Sequence, residues 1–257
     1  MSRAIHAEWT KLRTIPAPGW LLLAVVAMTV GASALATGVV KCPASCGDDT
    51  TKLSLTGVML GQAAVAALAV LAVTAEYSTG MILISLAATP RRTVLLSAKA
   101  VVVTGVVLAA GAVAVLGSLL AGRMLLPGNG FTTAHDVLAL SLFHGPTLRA
   151  AGGSVLYLAL IGLFSLGVAT AVRDPAAAIA VVLGILYVIP IIGDVALNAT
   201  WQHRIERWTP MDAGLAIQGT KNLAQQAIGP WSGLGVLGLW ALAVLLAGWL
   251  VLRLRDA

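Results

Sequence analysis

Charge is scarce in this chain: 10% of its 257 residues are Asp, Glu, Lys or Arg and 59% are hydrophobic, whereas an ordinary soluble domain carries about 25% charged residues. That balance excludes a soluble globular fold. Cysteine is nearly absent as well. Cys42 and Cys46 share one short polar loop with no further Cys or His at the spacing a zinc site needs, so metal binding is not expected. The sequence contains no HExxH, no GxSxG and no pair of carboxylates within an apolar run. Hydrolysis inside a bilayer would therefore lack a metal cage, a nucleophile and an acid–base pair. Lone serines such as Ser33, Ser118 and Ser165 are expected to bond their own helix backbone. The stretch GLAIQGTK, from Gly214 to Lys221, has a superficial likeness to a phosphate loop, but Thr220 precedes Lys221 where the pattern needs Lys and then Ser or Thr. No catalytic activity and no cofactor of its own are expected of this chain. Asp and Glu are also missing from the middle of every apolar run, which argues against a transporter driven by an ion gradient.

What is present is a series of six long apolar runs, at about 19–40, 53–75, 93–121, 148–172, 176–192 and 231–252. Each approaches the roughly 20 residues that a helix needs to cross a bilayer. The fold class expected is an all-α integral membrane protein, one transmembrane domain over residues 1–257. Residues Ser2 to Arg13 place Ile5, Trp9 and Leu12 on one face with charged residues around the rest, the pattern of an interfacial amphipathic helix. Pro16 and Pro18 then break it. Thr89 and Pro90 suit the cap and first turn of the third span, and Lys99, about two turns in, is expected to snorkel back to the interface. A short helix is expected at Ala134–Phe143, a tight turn at Arg173-Asp174-Pro175, and an amphipathic helix over Asp212–Ile228.

Six spans put both termini on one side. With the termini inside, nine of the sixteen Lys and Arg lie on the inner face, in much shorter segments than the other seven. The higher basic density predicts cytoplasmic termini. The same basic residues are scattered at the ends of apolar runs and form no stripe with interleaved aromatics, so the formal net charge of +6 points to membrane topology and not to nucleic acid. A cleaved signal peptide is the rival reading of the N-terminus, with Ala34-Leu35-Ala36 as its cleavage site, but the apolar run exceeds the roughly 7–15 residues of such a signal.

Three motifs admit two readings each. Gly57 and Gly61 form a GxxxG that would let another helix approach closely, within the chain or from a second copy, or would arise by chance in an Ala-rich chain. Cys42 and Cys46 form a disulfide across their loop or remain two free thiols. Glu76 to Arg92 places a carboxylate, Tyr77 and Gly80 at the end of the second span, then Ile82, Leu83, Leu86 and Ala87, then Pro-Arg-Arg. It reads either as an apolar helix face for a partner's groove or as an interfacial loop.

Four segments together resemble a known family: AEWTKLRT at Ala7–Thr14, EYSTGMILISLAATPRRTVLLSAK at Glu76–Lys99, VRDPAAAIAVVLG at Val172–Gly184 and RWTPMDAGLAI at Arg207–Ile217. In order and spacing they are similar to the permease subunits of type-2 ATP-binding-cassette (ABC) exporters, particularly the short permeases of actinobacteria. The resemblance implies export of a hydrophobic or amphiphilic substrate such as a drug, antibiotic, lipid or peptide. It also implies a multi-pass protein of the cell membrane and assembly with a second permease subunit. ATP and Mg would sit on a separate cytosolic ATPase dimer, because this chain has no Walker loop and no room for an ATPase domain. The implied ATPase-coupling residues are Glu8 and Lys11 of the N-terminal helix and Glu76, Tyr77, Thr79, Gly80, Ile82, Leu83 and Leu86 of the segment after the second span. The reading of a different class is a membrane binding, sensing or immunity protein that transports nothing.

Overall fold

Lipid offers no hydrogen-bond partner to a peptide group, so a chain this apolar must close its backbone bonds within each segment, and helices are the result. The structure, a computed structural model, describes residues 2–14, 16–42, 48–78, 92–131, 144–196 and 199–255. Among the described residues every regular element is a helix or helical turn.

The chain opens with α1 (Ser2–Thr14), followed by α2 (Pro16–Val39). Pro16 and Pro18 sit in the first turn of α2, where a missing N–H costs nothing. A short capped helix, α3 (Thr50–Ser54), precedes α4 (Val58–Ser78). Next come α5 (Arg92–Leu125) and α6 (Gly145–Val172). The fifth span begins as α7 (Pro175–Leu183), passes through a π-helical turn at Gly184–Val188 and continues as α8 (Ile189–Ala196). After α9 (Ala199–Trp208) and α10 (Pro210–Leu215), α11 (Pro230–Arg255) ends the chain.

Six of these segments are long and apolar enough to cross a membrane: Pro16–Val39, Val58–Tyr77, Thr93–Leu125, Gly145–Val172, Pro175–Gly193 and Pro230–Leu254. The protein is therefore a multi-pass α-helical membrane protein. The second span starts later than its apolar run, because Asp49 accepts hydrogen bonds from the N–H groups of Thr51 and Lys52, both at 3.1 Å, and starts α3. The third span runs longer, to Leu125. Thr89, Pro90 and the expected helix at Ala134–Phe143 lie outside the described residues.

The second and fourth spans form the centre, 61% and 67% buried, while the first and sixth are each only 22% buried and turn apolar side chains outward. α6 packs on α4, α5 and α11, and α2 packs on α4 and α5. The core is Val, Leu, Ala and Ile with Tyr157 and Phe164 fully buried, and the Tyr157 hydroxyl donates to Gln62 Oε1 across α4 and α6.

The Gly57 and Gly61 pair lies against α2. A Cβ on Gly57 would come within 1.9 Å of the Thr29 carbonyl oxygen, and one on Gly61 within 1.9 Å of the Thr29 hydroxyl. The Gly57 N–H donates to Ser33 Oγ at 3.0 Å. This small-residue face is taken up by the chain's own first span, so it is not open to a second copy.

At the end of the bundle away from the termini, Asp49 ties two distant loops together. Its carboxylate accepts from the Thr220 hydroxyl at 2.7 Å, the Thr220 N–H and the Lys221 N–H at 2.9 Å. Burial raises the proton affinity of Asp49. The bond from the Thr220 hydroxyl, followed by those from the Thr220, Lys52 and Lys221 N–H groups, outweighs it and holds the carboxyl below its ordinary range. The helix expected over Asp212–Ile228 forms only at its start, to Leu215, and this capture keeps it from resuming at Thr220 and Lys221. After α10 the chain makes a 3-10 turn at Ala216–Gln218, gives the next free N–H groups to Asp49, and turns again at Leu223–Gln225.

Candidate functional site

Two charged side chains of α1 turn toward the bundle. Glu8 and Lys11, three residues apart on one helical face, meet Glu76 at the end of α4 and Lys99 two turns into α5. Lys11 Nζ donates to Glu8 Oε1 at 3.0 Å and to Glu76 Oε1 at 2.6 Å. Lys99 Nζ donates to Glu8 Oε2 at 2.8 Å, Glu76 Oε1 at 2.7 Å and the Ala72 carbonyl at 3.2 Å. An ammonium has three donors, so Lys99 is saturated. Glu8, Glu76 and Lys99 are 7%, 6% and 4% exposed, depths at which a lone charge would be prohibitive and a closed quartet is tolerated.

Lys99 therefore does not snorkel. The carboxylates beside it compensate its charge within the bundle, and the interface offers nothing better. Lys11 is less enclosed. Burial weakens its hold on the proton, but its hydrogen bonds to Glu76 and Glu8, with their negative charges, prevail and hold its pKa above the ordinary lysine value. One atom of the quartet stands apart: Glu76 Oε2 is buried and has no hydrogen-bond partner among the described residues.

Beside the quartet lies a cavity of about 200 Å³ between α1, α2, α4 and α5. Its charged end is the quartet, and its walls are aliphatic, with Leu21 from α2, Leu68 and Leu71 from α4, and Val102 and Val103 from α5. On the other side of α4, Tyr77 carries the guanidinium of Arg173 over its ring, 5.4 Å from the centroid. Arg173 ends α6 in the left-handed conformation, with φ of 66°, and its Nη2 donates to the Val251 carbonyl of α11 at 3.3 Å. It thereby fastens three spans at the end that carries the termini.

Of the residues singled out in the sequence, the structure brings Glu8, Lys11 and Glu76 into one cluster and leaves Tyr77 on the far side of α4, under Arg173. Thr79, Gly80, Ile82, Leu83 and Leu86 lie outside the described residues. Lys99 belongs to the site although its sequence position suggested only snorkelling. The signal available was the pairing of a cation inside one span with a carboxylate at the end of the preceding one. Trp9, expected on the apolar face of α1, is 50% exposed, on the side away from the quartet. Cys42 is buried and disulfide-bonded, and Cys46 lies outside the described residues.

Six spans and an internal ion quartet define a polytopic α-helical membrane protein whose N-terminal helix is fixed to the ends of its second and third spans. Comparison with protein-family models, with curated proteins and with solved structures found no match.

Proposed function

We propose that this chain is the membrane-spanning permease subunit of an ABC exporter, working with a separate cytosolic ATPase dimer that holds ATP and Mg and with a second permease subunit. The observation that carries the reading is the quartet. It fastens α1 to α4 and α5, the two helices that flank residues 79–91, so the N-terminal helix and that connection are anchored on one body. A push on either is delivered to the second and third spans through Glu76 and Lys99. In this reading the termini are cytoplasmic and the protein resides in the cell membrane, in accord with the denser basic residues at that end. The quartet residues position α1, while contact with the ATPase falls to exposed residues such as Trp9 and to the 79–91 connection. The exported substrate is hydrophobic or amphiphilic, in keeping with aliphatic walls and no midspan carboxylate.

The test is affinity isolation of the tagged protein from its native membrane in mild detergent, with bound proteins identified and their ATP hydrolysis assayed. A stoichiometric ATPase that is lost when residues 79–86 are replaced, while the permease still inserts and elutes as one species, is the expected result. Absence of any ATPase across several detergents overturns the exporter reading and leaves a binding, sensing or immunity role.

A further inference from the structure

The cavity beside the quartet is graded in polarity along α4 and α5. On α4 its lining residues are Leu68, Leu71, Ala72, Ala75 and Glu76, spaced at i, i+3, i+4, i+7 and i+8, which is one stripe of one helix. At about 1.5 Å per residue that stripe runs roughly 12 Å, from an aliphatic end at Leu68 to a carboxylate at Glu76. Glu76 is the last residue but one of its span, the depth at which lipid headgroups meet the acyl region. The facing stripe on α5, Lys99, Val102 and Val103, has the same polarity, with the charge outermost and the apolar side chains deeper.

At the charged end a donor is missing. Lys11 and Lys99 both bond Glu76 Oε1, which leaves Oε2 without a partner among the described residues, in a residue that is 6% exposed. A buried carboxylate oxygen with no donor is costly. The two Lys and two Glu already balance, so the site calls for a donor that brings its own counter-charge. Beside it, Lys11 is only half-buried and offers a cation to that counter-charge. The volume of about 200 Å³ holds roughly seven water-sized groups, enough for a small headgroup and the first methylenes of a chain.

We infer that the cavity is a binding site for a zwitterionic membrane lipid with a primary ammonium headgroup, whose N–H groups bond Glu76 Oε2, whose phosphate lies toward Lys11 and whose chain follows Leu71 and Leu68 inward. A trimethylammonium headgroup carries the same charge with no N–H, so the site separates ethanolamine from choline lipids by hydrogen bonding alone. The site requires only α1, α2, α4 and α5, and failure to find an ATPase would leave it standing.

The test uses the full-length protein in nanodiscs containing equal amounts of an ethanolamine and a choline phospholipid with identical chains. Lipids retained after gentle extraction are counted by native mass spectrometry. The expected result is one retained lipid per chain, with ethanolamine preferred at least about tenfold, the worth of one charge-assisted hydrogen bond. Leu71→Trp, which fills the cavity and leaves every charge in place, should abolish retention, and Val102→Trp should do the same from the opposite wall. Glu76→Gln should retain lipid but lose the preference. Equal retention of the two lipids by the unaltered protein overturns the inference. So does retention that survives both tryptophan substitutions in protein that elutes as a single species.

Discussion

Lys99 is the residue on which the quartet depends, since it bonds both carboxylates and a backbone carbonyl from a buried position. Replacing it with Met removes one charge and leaves Glu8 and Glu76 facing one another with only the half-exposed Lys11 between them. Stranding a buried charge in this way costs about 3–5 kcal/mol, so Lys99→Met should lower the thermal unfolding midpoint in detergent markedly. Adding Glu76→Gln to Lys99→Met should recover part of the loss by removing the stranded charge. A Lys99→Met protein as stable as its parent would show that the quartet does not form. At this scale the sequence was partly legible. Glu8, Lys11 and Glu76 stand out as polar groups at the edges of apolar runs, but no local pattern says that they meet. The separations of 91 residues between Glu8 and Lys99 and 65 between Lys11 and Glu76 are closed only by tertiary packing, and an isolated helix would let Lys99 reach for water.

Helix pairs carry the next level of organisation. α2 and α4 approach closely because Gly57 and Gly61 have no side chain to hold them off Thr29 and Ser33. A methyl group on Gly57 would overlap the Thr29 carbonyl oxygen, and Gly57→Ala should destabilise the protein by about 1–3 kcal/mol. Gly31, on the exposed side of α2, has nothing within 4 Å of a would-be Cβ, so Gly31→Ala should be neutral or stabilising by up to about 1 kcal/mol. Unfolding curves of the two variants check the difference, and equal effects would place the α2–α4 contact elsewhere. Spans were the most legible elements because length and hydropathy suffice to define them. The loops were not. The run after Trp208 has a helical pattern, yet Asp49, some 170 residues earlier, takes the N–H groups that the helix would need.

For the whole molecule, the division into a central pair of spans and a lipid-facing rim leaves many exposed apolar side chains, among them Leu254 at 75% and Met124 at 77%, at opposite ends of the bundle. The proposed orientation predicts that, in sealed cells, a membrane-impermeant thiol reagent modifies Met124→Cys from outside and reaches Leu254→Cys only after the membrane is opened. Labelling in the reverse pattern would invert the topology and remove the cytoplasmic site proposed for the ATPase.

The quartet also divides evenly. α1 contributes one carboxylate and one ammonium, Glu8 and Lys11, and the spans contribute one of each, Glu76 and Lys99. Moving one elementary charge through 100 mV is worth about 2.3 kcal/mol, but when these two pairs part, each carries no net charge with it. The contact itself is accordingly blind to the membrane potential, and any response of the N-terminal helix to a change in that potential must come from its charges beyond the quartet, Arg13 among them.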